Sequence, residues 1–374
     1  MRGQSKGQPD FLTVVNLESL IPKRHPIRGI KKRVHEVLRR FSPLFENFYN
    51  QRTGRPSIPP EQLLKAKILM ALFSVRSERL FAEQLAYNLM WQWFLDRDLE
   101  EGTFNHSTFS KNYDRLFAEP IAAEFFAEVY QLSREENWAS DDHFSADGTL
   151  IEAWASVKSF RPKNETDDDG GGASKGDRNG FKPSNPDVDF KGQKRSNKTH
   201  RSRTDPDSVL YRKGKYKEAK MCYGLHGIME NRNGLLSEIS VHNPVTTQEP
   251  TVALEQIERL EARGHGSVAT LGADKGYHTK AFVGGCRNRR IKPHVAEVKN
   301  RSTPGLDGRT TTSRGYETSQ RIRKRIEEIF GWMKTAGTFR KTRYRGKNKV
   351  QSEAYFIGAT YNLIRMANLD LVQT

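Results

Sequence analysis

QRIRKRIEEIFGWMK, residues 320–334, shows two separate faces when it is drawn as a helix of about 100° per residue. One face is a narrow apolar stripe suited to packing on a sheet, and it consists of Ile322, Ile326, Ile329 and Met333. Beside it lies a polar stripe that consists of Gln320, Arg323, Glu327 and Lys334. Glu328 points away from both stripes. The stretch therefore predicts one amphipathic helix with a group of charges along the edge of its buried face.

The grouped charges admit two interpretations. One carboxylate placed with two cations beside a buried face suits a site that binds metal ions and phosphate. A basic amphipathic helix with solvated charges has the same periodicity, and periodicity does not identify chemistry. On the helix alone, both interpretations stay open.

The spacing within the polar stripe is more specific than its periodicity. Arg323, three residues, Glu327, six residues and Lys334 together resemble the Tyr-Arg-Glu-Lys signature of bacterial insertion-sequence DDE transposases. The surrounding RIEEIFGWMKT resembles the insertion sequence five (IS-five) group of the IS-four-like superfamily. Gln320 occupies the position of the family's tyrosine. The resemblance extends over nearly the whole chain.

The composition indicates a polyanionic partner. The 374 residues include 62 Lys and Arg against 45 Asp and Glu, a formal net charge of +17, and basic side chains that neutralise phosphates release counterions. A membrane-surface protein is the alternative, but no long apolar run or amphipathic anchor supports it. Cys222 and Cys286 fit neither a disulfide framework nor a zinc site, and the N-terminus lacks a signal-peptide apolar region. We expect a cytoplasmic, nucleoid-associated bacterial protein without membrane contact.

The N-terminal third predicts an arm followed by a helical domain. Residues 1–28 are polar or interrupted by proline and predict the arm, whereas residues 29–135 carry apolar side chains at helical spacing. Helices are expected over 30–41 and 77–94, and GRPSIPPEQLL at 54–64 marks a helix start because proline fits the first helical position. GRPSIPPEQLLKAKIL, VRSERLFAEQLAYNL and HSTFSKNYDRLF resemble the family's N-terminal domain, which implies DNA binding of helix-turn-helix character. A helical cap or a dimerisation unit is the alternative.

The catalytic domain is expected over 141–374. HFSADGT at 143–149 predicts a short buried strand that presents Asp147 near its end. Glu152 competes with Asp147 as an acidic ligand, but DGTLIEAWAS resembles the family's first-aspartate motif, which implies Asp147. A second apolar strand in SVATLGADKGYHT ends at Asp274 and resembles the family's second-aspartate motif. A surface aspartate at a strand end is the alternative for Asp274.

The rest of the catalytic domain alternates strands and helices around a polar insert. Residues 164–196 predict a flexible insert, since they bury too little apolar surface to offset the entropy of ordering. Strands are expected over 219–230 and 235–242, joined by an Asn-Gly hairpin signal. The other predicted elements are a helix over 250–263, a strand over 291–298 and a helix over 352–369.

The resemblance implies a ribonuclease H-like fold, an α/β catalytic domain with a mixed β-sheet, preceded by an all-helical N-terminal domain. It also implies that Asp147, Asp274 and Glu327 form an acidic triad for two divalent metal ions, Mg²⁺ with Mn²⁺ as a substitute. Asp147 is expected to bridge the two ions. The expected DNA contacts are Arg323, Lys334, Lys275, Tyr277, Arg340, Lys341 and Arg343.

The implied activity is transposition, in which metal-dependent cleavage at insertion-sequence ends precedes attack of the freed 3′-hydroxyl on target DNA. The implied partners are double-stranded DNA, as terminal inverted repeats and as target, and a second copy of the chain in a homodimer on DNA. Two alternatives stay open. One is a metal-dependent nuclease that cuts without joining, and the other is a non-enzymatic DNA-binding protein derived from a transposase.

Overall fold

The described residues of the computed structural model are 16–48, 57–163, 196–212, 214, 218–244, 249–298 and 302–373. Residues 164–195 of the predicted insert and residues 1–15 of the predicted arm lie outside them. In the part of the chain that is described, no helix is long and apolar enough to cross a membrane.

The N-terminal region is helical, as predicted. Its helices are α1 (Leu17–Leu20), α2 (Pro26–Phe48), α3 (Pro60–Leu72), α4 (Glu78–Tyr87), α5 (Leu89–Leu95), α6 (Ser107–Lys111) and α7 (Glu119–Glu135). A π-helical turn, Tyr113–Phe117, lies between α6 and α7. α3 begins at Pro60, where the proline signal places it.

The single helix predicted over 77–94 is wrong, because Asn88 divides it into α4 and α5. Asn88 has an extended backbone, and its side chain accepts a hydrogen bond from the N–H of Trp91 at 3.1 Å. Such local capping competes with continuation of a helix through an asparagine. The apolar spacing continues across the break and so conceals it.

The second half of the predicted arm packs against the helices instead of extending from them. Ile21 and Ile27 are 8% and 2% exposed, and α2 begins four residues earlier than predicted. The Arg28 guanidinium bonds the Ile21 carbonyl at 2.7 Å. Residues 16–28 therefore belong to the helical core.

The C-terminal half contains a mixed sheet. Its strands are β1 (His143–Glu152), β4 (Val209–Tyr211), β5 (Lys220–Glu230), β6 (Leu235–His242), β7 (Thr270–Ala273) and β8 (Lys292–Val295). A separate pair consists of β2 (Phe160–Pro162) and β3 (His200–Ser202).

The strand directions place β1 at the centre of this sheet. β5 runs antiparallel to β1 on one side, and β7 and then β8 run parallel to it on the other. β4 and β6 both pair with the far edge of β5, each along a different part of it. The β5–β6 hairpin turns at Gly234, whose φ of +72° suits glycine, and confirms the Asn-Gly prediction.

Helices cover the sheet. They are α8 (Glu249–Ala262), α9 (Lys280–Asn288), α10 (Gly308–Thr311), α11 (Arg314–Ile322), α12 (Arg325–Lys334) and α13 (Lys347–Gln373). The helix predicted over 320–334 is therefore interrupted at Arg323 and Lys324. Both residues keep a right-handed helical backbone, and the N–H of Glu327 bonds the Lys324 carbonyl three residues back. The buried stripe survives this tightened turn, with Ile326, Ile329 and Met333 all at most 2% exposed.

α13 packs against both halves of the protein. It contacts β6 in the sheet and α2, α3 and α7 in the helical region. Its Gln351 and Asn362 side chains bond the backbone of β6, Asn362 at 2.8 and 2.7 Å to the N–H and carbonyl of Leu236. These amides satisfy polar groups on an edge that no strand pairs among the described residues. The boundaries 29–135 and 141–374 stay predictions, and the hydrophobic core is continuous across them.

A buried network of charges also joins the helical region to the segment that follows α12. Lys67 of α3 donates to the Tyr344 hydroxyl at 2.6 Å and lies 3.4 Å from the Glu353 carboxylate of α13. Arg343 lies 3.2 Å from Glu78 of α4. The Lys67 side chain is only 5% exposed, so its charge depends on these partners.

Replacing Glu353 with glutamine should destabilise the protein by about 3 kcal/mol, because Lys67 and Arg343 then lose a buried counter-charge. Burial acts to raise the pKa of Glu353, but Lys67 and Arg343 outweigh it and hold that pKa below its usual value. The measurement is urea unfolding of the full chain at neutral pH. Glu124→Gln, an exposed change on α7, is the matched control, and equal stabilities for the two variants would contradict the role of the network.

Candidate active site

Asp147 and Asp274 lie at the ends of the pairing between two parallel strands. β1 and β7 pair only as far as Ser145 and Gly272, so Asp147 projects where one edge of β1 is open. Asp274 follows the last residue of β7 directly. Because parallel strands carry their carboxyl ends to the same edge, the structure brings the two predicted aspartates to one place.

The electrostatics of Asp147 connect it with the other two predicted acids. Burial raises the pKa of Asp147 to about 6, and the charges of Asp274 and Glu327 act in the same direction. The Gly148 N–H, 2.8 Å from the carboxylate, and the charge of Arg323 oppose the increase. Like charges and desolvation both penalise a carboxylate, so this position is short of positive charge.

Close contact with glycine positions the helices that carry Arg323 and Glu327. A Cβ on Gly272 of β7 would lie 2.8 Å from the Ser319 Oγ of α11 and 3.5 Å from the Arg323 Cβ. A Cβ on Gly227, the cross-strand partner of Asp147, would lie 3.4 Å from the Phe330 ring of α12. The helices therefore approach the sheet more closely than larger residues would allow.

Gln320, at the position of the family's tyrosine, orients Arg323. Its side-chain amide N–H donates to the His294 carbonyl and, at 3.5 Å, to that of Ala273. Its carbonyl oxygen accepts from Nε of Arg323 at 2.9 Å. Gln320 thus links the backbone of β7 and β8 to the guanidinium. The sequence indicated only that the tyrosine was missing, not that the glutamine takes this role.

The remaining polar residues of α12 divide between the site and solvent. Lys334 donates a hydrogen bond to the Thr149 hydroxyl of β1, two residues beyond Asp147 and on the same face of the strand. Glu327 and Glu328 are both exposed. Only Glu327 of this pair contributes to the pKa of Asp147.

Two of the predicted DNA contacts are wrong because their side chains have partners inside the protein. Tyr277 is 1% exposed and packs its ring 5.1 Å from that of Phe282. Arg343 has an 18% exposed side chain that pairs with Glu78 and bonds the Arg76 carbonyl. Neither side chain presents its polar atoms to a DNA strand.

Other basic residues do face solvent near the end of β1. Arg340 and Lys341 are exposed, as is Lys275 in the turn after Asp274. The backbone of Glu152 bonds the Arg340 carbonyl at 3.0 Å and the Thr342 N–H at 2.9 Å, which anchors the basic segment to β1. The Glu152 carboxylate accepts from Lys220 at 2.7 Å, so the competing candidate is committed to an ion pair.

The acids were tested as a set of metal ligands. Among the described residues, no three His, Cys, Asp or Glu side chains stand close enough to hold one metal ion together. The donor set still fits a divalent cation in its chemistry, since Asp147, Asp274 and Glu327 offer hard oxygen ligands. The raised pKa of Asp147 agrees with a carboxylate that lacks a cationic partner.

Comparisons with known proteins give two matches to families. Residues 15–115 match a transposase domain (DUF772), and residues 188–363 match a transposase DDE domain. Two solved structures show distant likeness. The piggyBac transposase synaptic complex with hairpin DNA has 9% identity and a TM-score of 0.40, with 94% of this chain and 76% of that one covered. The Mos1 transposase paired-end complex with the left transposon end has 9% identity and a TM-score of 0.21, with 81% and 88% covered. No curated protein matches the chain.

The matched domains define the class of the protein as a transposase. The chain belongs to the DDE transposases, a family of enzymes that use divalent metal ions. Asp274 and Glu327 lie inside the matched DDE domain, whereas Asp147 lies between the two matched segments. The assignment of Asp147 therefore depends on its strand position and on its coupling to the other two acids.

Asp147→Asn should make the metal-free protein more stable at about pH 8, by about 1–3 kcal/mol. The pKa of Asp147 is about 6 in the fold against an ordinary 3.8, so above pH 6 the folded state bears the full cost of the ionised carboxylate. Below the ordinary value the carboxyl is protonated in both states and the cost disappears. The stability difference should therefore shrink as the pH falls towards about 5.

Urea unfolding in the presence of a chelator, at several pH values, measures this difference. Asp142→Asn, an exposed change on the residue before β1, is the control and should leave stability nearly unchanged. An Asp147→Asn protein that is less stable than wild type at pH 8 would show that Asp147 is not in a site of excess negative charge.

Proposed function

We propose that the protein cleaves DNA at the ends of an insertion sequence and joins the freed 3′-hydroxyl to target DNA. The observation that carries this proposal is the convergence of Asp147, Asp274 and Glu327 at one open sheet edge, with their charges acting on one carboxylate. Arg323 and Lys334 lie beside the acids, where a phosphate would meet them. The family match supports the reaction class.

Each polar residue takes a separate role in this proposal. Asp147 would bridge two Mg²⁺ ions, for which Mn²⁺ substitutes, and Asp274 and Glu327 would each hold one. Bound in this way, the cations would activate the attacking hydroxyl and stabilise the leaving oxygen. Gln320 holds the Arg323 guanidinium through its hydrogen bond, so that Arg323 meets the phosphate in a fixed orientation. Lys334 would bind a neighbouring phosphate.

The wider assignment follows from the same proposal. The central β1, with antiparallel β5 and β6 on one side and parallel β7 and β8 on the other, supports a ribonuclease H-like catalytic domain. The Arg-Glu-Lys spacing supports the IS-five group. The net charge of +17 and the exposed Lys275, Arg340 and Lys341 support double-stranded DNA as partner, both as terminal inverted repeats and as target. The helical region would bind the repeats, and the chain would act as a homodimer on DNA.

Asp147→Asn, Asp274→Asn and Glu327→Gln should each reduce cleavage by at least about 10³-fold, because each removes a metal-binding charge with little change of shape. Glu328→Gln is the matched control, since its carboxylate adjoins that of Glu327 in sequence but does not act on Asp147. The measurement is single-turnover cleavage of an end-containing duplex with Mg²⁺. An active Glu327→Gln protein beside an inactive Glu328→Gln protein would remove α12 from the proposed site.

Joining should follow cleavage in the same reaction when a supercoiled target plasmid is added. A transposase needs to present the freed 3′-hydroxyl to a second phosphodiester, and the exposed cations at the end of β1 provide a surface for that second duplex. The readout is a labelled transposon end attached covalently to the plasmid. Complete cleavage with no joined product would instead identify a nuclease, and DNA binding with neither product a non-enzymatic derivative.

A further inference from the structure

The face of β1 opposite to α12 carries a second group of polar atoms at Gly148. A Cβ placed on Gly148 would lie 2.7 Å from Nδ1 of His226 and 3.2 Å from Oε1 of Glu249. Neighbouring residues of a strand point to opposite faces, so Gly148 opens towards α8 while Asp147 faces α12. Glycine at this position leaves room for the histidine and the carboxylate to meet beside the Asp147 backbone.

His226 supplies an orphaned polar atom at this place. It is the cross-strand partner of Gly148, and its side chain is 5% exposed. Its Nδ1 has no hydrogen-bond partner among the described residues. An unpaired buried nitrogen is costly, and here it faces the point where Glu249 arrives. A ligand or an ordered water bound at Glu249 would satisfy it.

Glu249 reaches the second aspartate as well as the first. Its Oε2 lies 3.8 Å from the position of a Cβ on Gly276, and Oδ1 of Asp274 lies 3.0 Å from the same point. The buried phenol of Tyr277 is influenced by Glu249, Asp147 and Asp274 together, because after burial itself their charges contribute to its raised pKa. Glu249 is thus close to both aspartates although it lies on a different helix from Glu327.

We propose that Glu249 is a fourth carboxylate of the metal site, which binds a divalent cation together with Asp147 and Asp274 from the side opposite to Glu327. The inference deepens the proposed function and depends on it. In this arrangement the open edge of β1 is flanked by an acid from α8 and an acid from α12. His226 accommodates a water in the shell of the ion and is a positioning residue, not a ligand.

A purely structural role for Glu249 makes a different prediction. As the first residue of α8, an acidic side chain stabilises the positive end of the helix dipole. Aspartate would serve that purpose as well as glutamate. A ligand role requires reach, so Glu249→Asp should weaken metal binding even though the charge is kept.

The experiment compares Mn²⁺ binding by full-length wild type, Glu249→Gln, Glu249→Asp and Glu255→Gln. Glu255→Gln is the matched control, because it removes an exposed carboxylate from the same helix. Binding is measured from the electron paramagnetic resonance signal of free Mn²⁺, and the rise in melting temperature on adding Mn²⁺ gives an independent readout. Mn²⁺ should bind at least about tenfold more weakly to Glu249→Gln than to the control, with Glu249→Asp intermediate.

Unchanged Mn²⁺ affinity in Glu249→Gln, or wild-type affinity in Glu249→Asp, would overturn the inference and leave Glu249 as a helix-end residue. In either case wild type that still binds Mn²⁺ and cleaves DNA preserves the proposed function. Wild type that neither binds Mn²⁺ nor cleaves would overturn the proposed function, and this inference with it. A weaker Mn²⁺-induced rise in melting temperature, with an unchanged metal-free melting temperature, is the result expected for a ligand.

Discussion

The close contact of α11 and α12 with the sheet is the constraint on which the rest of the site depends. Gly272 and Gly227 lie on the strands either side of β1, and each leaves space that a helix side chain occupies. A thicker layer of side chains would lift α12, and with it the carboxylate of Glu327, away from Asp147. Two absent methyl groups thus set the distance across which the acids act on one another.

The same arrangement sets stability against function. Asp147 is held in a partly buried position among like charges, and burial with those charges raises its pKa to about 6. The fold bears this cost because the strand beneath is central and paired along its length with β5. Local conflict supported by a rigid surrounding is characteristic of functional sites. Gln320 adds a fixed orientation for Arg323 but no charge.

Periodicity and strand ends predicted the acids, whereas the roles of neighbouring side chains depended on distant contacts. The buried stripe of α12 and the aspartates at β1 and β7 follow from local patterns that the tertiary structure retains. Arg340 and Arg343 are three residues apart and chemically identical, yet only Arg343 meets Glu78, far away in sequence. No local pattern reports such a pairing, or the proximity of Glu249 to Asp274. The interruption at Lys324 was likewise hidden, because its backbone stays helical.

The position of α13 in the chain has a consequence for the order of events during synthesis. Residues 347–373 leave the ribosome after every described element that they join, yet they supply a face to α2, α3 and α7 and the bonds that satisfy the free edge of β6. Until then the helical core lacks one wall and the sheet has an unprotected edge, a state prone to association. Contacts between α2 and α13 also span most of the sequence, and such long-range closure slows folding. The nascent enzyme therefore depends on its last helix to become both compact and safe from aggregation.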